Sequence, residues 1–373
     1  MLSLSMTEVL DNLEDLGVYI TDRQRRIVFW NKAAARITGF AAAEVVGRSC
    51  HDKVLSHVDR HGRSLCDSSV CPLALAMEQG RARTPRTFVF SRAKDGARVP
   101  MAVSVTPIKD AAGVVVGGLE VFREAASEVR DLELAQTVQR QWLPGPEQLA
   151  RWPFLGHACC MAEMVGGDLV RVFPGANGTV AGLLADISGH GVASALVTGF
   201  LVSNLIPLEG KVRSPVEILQ HLAGLYEQGG STFHYYSAQA FVYDPVATRL
   251  HLANAGHPPP ILLEEGGAGR FLDLPSDLIG LFEAREFATL ELPDFTGKRL
   301  VIYSDGMTEA PDPAGRRLGE AGLLAACQRL AGLPPANHAR ALVDHVFAYT
   351  HAADPVDDLT ALVLDGFGLA RVR

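Results

Sequence analysis

Four aspartates at wide spacing hold the chemistry this sequence can do. They are Asp168 in Val165-Gly-Gly-Asp168, Asp186 in Ala185-Asp-Ile-Ser-Gly-His-Gly191, Asp305 in Tyr303-Ser-Asp-Gly306 and Asp357 in Asp357-Asp-Leu-Thr360. Each reads as the end of an apolar, strand-like run, beside small residues that let another group approach the backbone closely. Carboxylates gathered with little basic compensation suit hard divalent cations, which take oxygen ligands and keep several waters. Two such ions close together make a hydrolytic centre for phosphate esters. Taken singly, Asp-Gly is an ordinary turn and Gly-His-Gly a flexible loop. The order and shared setting of the four argue for one site.

The elements that must position them follow from periodicity. Strand signals recur at residues 156–161, 179–187, 238–243, 249–253, 260–263, 299–303 and 359–364, and helical stretches at 190–205, 215–226, 319–330 and 337–350. That pattern predicts an α/β sandwich of two sheets flanked by helices. Ahead of it, residues 124–143 lack glycine and proline, and Val129, Leu132, Ala135 (or Gln136), Val138 (or Gln139) and Trp142 trace a helical stripe that ends at Pro144-Gly-Pro146. Such a helix either packs on its own domain or pairs with a second chain. Further upstream, five strand signals (18–22, 26–30, 86–92, 100–108 and 114–122) surround a short helix over 32–38, capped by Asn31 and closed by Gly39. The expected fold is α+β: a five-stranded antiparallel sheet with helices over 1–124, a helical linker over 125–150 and the two-sheet sandwich over 151–373.

Bulk properties narrow the function classes. A chain of 373 residues exceeds one ordinary core and predicts two domains. A net charge of -8 with no long basic run argues against nucleic acid as the main ligand. The acidic start (Glu8, Asp11, Glu14, Asp15) does not read as a secretory leader. Nor is a membrane span expected, because the most apolar stretch, 180–206, is broken by Asp186 and His190. A cytoplasmic protein is the expectation, its six cysteines serving as thiols or metal ligands rather than a disulfide frame.

One cluster lies outside the aspartate set. Cys50, His57, Cys66 and Cys71 are close in sequence, with His51 and His61 nearby. These ligand types could enclose zinc or iron, or part of an iron–sulfur centre, and Cys66 with Cys71 could form a reversible redox disulfide. The alternative is a set of buried structural thiols. Cys159, Cys160 and Cys327 read as core packing.

Together with Asn254-Ala-Gly-His-Pro-Pro259 and Met307-Thr-Glu309, the aspartate motifs resemble the SpoIIE-type branch of the metal-dependent serine/threonine phosphatases, from about residue 133 to the end. The resemblance implies two Mn²⁺ or Mg²⁺ ions. Asp186 would bridge both, the Ile187 carbonyl would add a ligand, and Asp168, Asp305 and Asp357 would complete the set, with Asp358 ranked below Asp357. It implies as substrate a phosphorylated regulatory protein, a STAS-domain antagonist of an anti-sigma factor, and a segment 135–144 that joins regulatory and catalytic parts. His190 and His257 are candidates for proton handling or for shaping their loops, and Asn254 orients phosphate or fixes the turn before Gly256. There is one departure. Leu169, Val170 and Arg171 stand where related sequences carry an aromatic pair and another Asp, which puts metal affinity or loop regulation in doubt.

The N-terminal segments Ile27-Val-Phe-Trp-Asn-Lys-Ala-Ala34, Thr38-Gly-Phe40, Glu44-Val-Val-Gly47, Asp95-Gly96 and Val103-Ser-Val-Thr-Pro-Ile108 resemble a PAS domain over residues 8–124. Such domains bind small ligands or cofactors, or act as dimerising relays. Three functional readings follow. The first is a sensor-controlled phosphatase, dimeric through its PAS domain and linker. The second is a catalytically silent binding module gated by the sensor. The third is a phosphatase for a small metabolite.

Overall fold

Alternating apolar residues build one antiparallel sheet near the N-terminus. In this computed structural model the described residues are 6–52, 54–66, 70–84, 88–189, 191–229, 235–281, 286–352 and 354–367. They fall into two compact units, Met1–Glu133 and Leu134–Arg373. The first contains α1 (Met6–Asp11), β1 (Gly17–Asp22), β2 (Ile27–Trp30), α2 (Lys32–Thr38), α3 (Ala42–Val45), α4 (Pro72–Gln79), β3 (Val89–Arg92), β4 (Arg98–Lys109) and β5 (Val115–Glu124). Strand order is β2-β1-β5-β4-β3, every neighbour antiparallel. Asn31 does more than cap a helix. Its Oδ1 accepts from Ala34 N at 2.8 Å and Val18 N at 2.9 Å, and its Nδ2 donates to the Leu10 and Leu16 carbonyls. One buried amide thus ties α1, β1 and α2 together, which explains why a polar residue stands at the end of an apolar strand.

The unit boundary falls inside α5 (Ala126–Arg140). Beyond it come α6 (Pro146–Leu149), β6 (Leu155–Cys160), β7 (Asp168–Pro174), β8 (Val180–Ile187), α7 (Val192–Leu205), α8 (Pro215–Gly229), β9 (Tyr236–Asp244) and β10 (Arg249–Ala255). There follow β11 (Ile261–Glu264), β12 (Gly269–Phe271), β13 (Ala288–Leu292), β14 (Lys298–Tyr303), α9 (Gly306–Glu309), α10 (Gly319–Leu330), α11 (Pro335–Thr350) and β15 (Leu359–Asp365). Two antiparallel sheets result, β13-β10-β9-β8-β7 and β12-β11-β14-β15-β6.

The period-2 rule assigns each sheet its two faces. In β8, Leu183, Ala185 and Ile187 pack with Leu201, Leu205, Ile218 and Leu222 of α7 and α8. Leu184 faces the other way, into a core with Phe241, Ile302 and Leu362. In β15, Leu362 and Leu364 join that inter-sheet core, while Ala361 and Val363 pack with Leu323, Cys327 and Leu342 of α10 and α11. The layers are therefore helix, sheet, sheet, helix. Each fully buried Leu contributes about 1.5–3 kcal/mol, and a one-residue slip would turn a whole strand inside out. Register is fixed by that penalty, and register decides where the aspartates go.

Candidate metal centre

Asp168, Val170 and Val172 share a face of β7, and the two valines lie in the inter-sheet core. Asp168 therefore points into the seam between the sheets, at its edge. Its direct cross-strand partner is Asp186, which lies on the same face of β8 as Leu184. The second sheet supplies the rest: Asp305 follows β14 by two residues and Asp357 precedes β15 by two. Because β14 and β15 are antiparallel, the end of one meets the beginning of the other. The expectation that every aspartate closes a strand is corrected here. Asp168 opens β7 and Asp357 stands ahead of β15, and antiparallel pairing is what brings strand starts beside strand ends.

Asp186, Asp305 and Asp357 line one cleft of about 600 Å³, together with Ser188, Tyr235, Tyr236, Ser237, His257, Pro258, Pro259 and Glu320. Asp168 lies beneath, 1% exposed, and neither carboxylate oxygen has a hydrogen-bond partner. The Thr360 and Ser304 hydroxyls lie close enough to favour its charge, yet each is committed elsewhere, to Cys159 Sγ at 3.2 Å and the Asp358 carbonyl at 3.1 Å. Burial first, then the Asp186 and Asp358 charges, push the Asp168 pKa well above the usual carboxylate range. Burial, then Asp305 and Asp357, lift Asp186 to about 8. Asp305 is raised by burial, then by Asp357 and Glu309. A cluster this reluctant to ionise calls for protons or cations.

The donor set is oxygen from carboxylates, which fits hard divalent ions rather than soft ones. Asp186 stands between Asp168 and the Asp305–Asp357 side and is the residue both halves share. The Ile187 side chain packs against the helices, and its carbonyl lies over Gly167, at the rim of the same turn. Among the described residues, no three His, Cys, Asp or Glu side chains stand close enough together to hold a metal ion by themselves. The aspartates open onto the cleft, and a hard divalent ion held there would need water for part of its oxygen shell.

Asp358 has a role its rank in the sequence did not suggest. Its carboxylate accepts from Ala162 N and Gly167 N, both at 2.7 Å, and lies 3.4 Å from Asp168 N. It fills the space over Gly166, where an added Cβ would fall 2.1 Å from Oδ2. The Val165–Asp168 turn is thus wrapped around Asp358: Gly166 leaves room for its carboxylate, and Gly167 for the Ile187 carbonyl. From the other side, Gln136 of α5 donates to the Met164 carbonyl at 2.6 Å, and Gln139 reaches Gly166. The paired Asp357-Asp358 and the glutamines at i and i+3 were the available signals.

None of the departing residues 169–171 lines the cleft. Leu169 joins the helix-facing core and Val170 the inter-sheet core. Arg171, three strand steps (about 10 Å) from Asp168, pairs with Glu209 at 2.9 Å. Asn254 fixes a turn, accepting from His257 N and donating to the His257 and Leu274 carbonyls. His257 is buried, and burial holds its pKa down to about 3. His190 lies outside the described residues.

The thiol cluster does not assemble as a cage. Cys50, Cys66 and Cys71 are buried thiols that form no disulfide with one another. Cys66 Sγ accepts from His57 N at 3.1 Å, and the His57 ring faces Glu120 instead, Nε2 to Oε1 at 3.6 Å, while Tyr19 donates to Glu120 Oε2 at 2.8 Å. Glu120 was missed as a member of this cluster. Its position two residues before buried Phe122 on β5 was the signal.

Comparison with known proteins agrees with this architecture. The family profile described as Stage II sporulation protein E (SpoIIE) matches residues 176–366, and a PAS domain profile matches residues 15–125. Phosphoserine phosphatase RsbP of Bacillus subtilis (strain 168) is 29% identical over 184 residues, which are 48% of this chain and 45% of that protein. The chain thus spans less than half the length of this relative. Among solved structures, the SiaA-PP2C domain of Pseudomonas aeruginosa superposes with a TM-score of 0.57 at 23% identity, covering 64% of this chain and 98% of that one.

Proposed function

This chain belongs to the Stage II sporulation protein E (SpoIIE) family, and from that membership we propose that it is a metal-dependent protein serine/threonine phosphatase governed by its N-terminal PAS domain. The substrate in this reading is a phosphoserine or phosphothreonine on a regulatory protein, of the STAS type that the family resemblance implies. The working division is a sensor over 1–124, a helical linker over 125–150 and the phosphatase over 151–373.

Charge is the observation that carries the reading. Four carboxylates (Asp186, Asp305, Asp357 and Glu320) line the cleft, and no Lys or Arg is among the described lining residues. A phosphate monoester would be repelled from such a cleft unless cations sat between. The unpartnered oxygens of Asp168 beneath the cleft support the same conclusion. Asp186 is assigned to both ions, with Asp168, Asp305, Asp357 and the Ile187 carbonyl sharing the remaining positions. When bound, two Mn²⁺ or Mg²⁺ ions supply Lewis acidity that makes water nucleophilic near neutral pH and offsets charge on the phosphoryl oxygens. The chain's own part is to hold the carboxylates at fixed separations. Tyr235, Pro258 and Pro259 line the cleft and offer an apolar surface on which the peptide flanking the phosphorylated residue would pack.

Regulation in this reading runs through α5, because Gln136 and Gln139 hold the turn that ends in Asp168. On the same helix, Leu134 is 66% exposed and Val138 40%, which supports pairing with a second copy and hence a homodimer through PAS domain and linker. No helix among the described residues is long and apolar enough to cross a membrane. Cysteines held as thiols rather than as a disulfide frame suit a reducing compartment, and we assign the protein to the cytoplasm.

The test is Mn²⁺-dependent phosphate release from a phosphoserine protein, comparing the full chain with Asp305→Asn. Release by the wild type and its loss in the variant are expected. Equal, negligible release from both, with the phosphoprotein still bound, would identify a silent binding module.

A further inference from the structure

The Asn254–Pro259 motif supplies none of the aspartates assigned above to the metal pair, yet its histidine lines the same cleft as Asp186 and Asp305. His257 Nδ1 and Ser237 Oγ are 2.7 Å apart. Ser237 is the direct cross-strand partner of Asp186, so the two side chains lie on one face of neighbouring strands. On the opposite sheet, the ring meets the backbone of Tyr303, two residues before Asp305. That approach is too loose for a full hydrogen bond, and Nε2 is buried without a partner in good geometry.

The ring is held rigidly from behind. The Asn254 side chain brackets both His257 backbone groups, accepting from N at 3.2 Å and donating to O at 3.0 Å. Gly256 has φ +64 and its missing Cβ would lie 2.8 Å from Leu278, so glycine alone fits there. A buried imidazole fixed in this way is a spacer of set length between β9 and β14.

We propose that His257 is a positioning residue that sets the separation of Asp186 from Asp305, and through it the affinity for the metal pair. The inference rests on the metal reading above. It explains why this motif pairs a rigid turn with a polar ring: the apolar seam could pack with a Leu at this position, but a Leu would leave the buried Ser237 hydroxyl without its partner. Ser237 acts with it, as the group that relates the ring to the Asp186 strand.

The experiment uses the full chain. Mn²⁺ affinity is measured by calorimetric titration for wild type, His257→Ala, His257→Gln and Ser237→Ala, beside melting temperature in EDTA and phosphate release at saturating Mn²⁺. Partners that orient metal ligands typically change affinity about 10- to 100-fold. His257→Ala should weaken Mn²⁺ binding within that range, with turnover largely restored once Mn²⁺ saturates. His257→Gln should recover part of the affinity, and Ser237→Ala should show a smaller loss. Unchanged Mn²⁺ affinity in a His257→Ala chain that melts like wild type in EDTA overturns the proposal. Lost turnover at unchanged affinity overturns it too, and would assign the ring to the substrate instead. If His257→Ala does not fold, the affinity of Ser237→Ala decides in the same way. Absence of Mn²⁺ binding by the wild type would overturn the metal reading itself, and this proposal with it.

Discussion

Gln139 clasps both polar backbone groups of Gly166, its Nε2 donating to the carbonyl at 2.7 Å and its Oε1 accepting from the N–H at 3.1 Å. The pair is buried, so loss of the amide strands two backbone groups away from water, at a cost of about 1–3 kcal/mol. Gln139→Ala should therefore loosen the turn that ends in Asp168 and raise the Mn²⁺ concentration needed for half-maximal phosphate release. An unchanged Mn²⁺ requirement would show that α5 does not govern the site.

Asp168 illustrates a conflict between stability and function. It faces Asp186 directly across the ladder, with both its oxygens unpartnered. Like charges so placed destabilise a sheet. Asp168→Asn should raise the melting temperature in EDTA while abolishing the further rise that Mn²⁺ gives the wild type. A variant less stable than wild type in EDTA would mean that Asp168 has partners the metal-free fold depends on.

The N-terminal unit should carry its own pH signature. Burial raises the Glu120 pKa from 4.5 to about 7. The folded state therefore keeps a proton that the unfolded chain gives up, and stability falls as pH rises from about 4.5 to about 7, by up to roughly 3 kcal/mol. His57, held neutral with a pKa of about 4, slopes the other way below its ordinary value. The informative quantity is the difference between wild type and Glu120→Gln. Urea melts at pH 5 and 7.5 should show wild type losing stability relative to the variant, and parallel behaviour would contradict the burial of an ionisable Glu120.

Restoring the residue type that relatives carry at position 171 should not help. Arg171 is tied to Glu209, on the far side of the strand run from the metal site. Arg171→Asp replaces an ion pair with two facing carboxylates, so melting temperature should drop by a few degrees with Mn²⁺ affinity unchanged. Tighter Mn²⁺ binding in this variant would mean that residue 171 reaches the centre after all.

Local sequence carried much of this organisation. Asp168, Asp186, Asp305 and Asp357 stood out because each lies within two residues of an apolar run, and strand alternation separated the two faces of β8 and β15. What local sequence does not carry is register. That Asp168 faces Asp186, and Ser237 faces Asp186 from the other side, depends on which strands pair and where. Asp358 shows the same limit: its acceptors' partners, Ala162 and Gly167, lie nearly two hundred residues upstream. The thiol cluster was read from proximity in sequence, whereas burial turned the His57 ring toward Glu120, on a strand that begins more than fifty residues later.

The order in which the aspartates occur along the chain has a consequence during synthesis. Asp168 and Asp186 meet across a single hairpin, a local contact that forms early. Their partners Asp305 and Asp357 are made more than a hundred residues later, on strands of the other sheet. A nascent chain therefore carries half a centre, two carboxylates that repel and no second sheet to close over them. Under the proposed function, hydrolytic competence would arrive only after Asp357 has been translated and β15 has docked between β14 and β6. A ribosome-bound or prematurely ended chain would present its PAS domain in full and still lack a complete carboxylate centre.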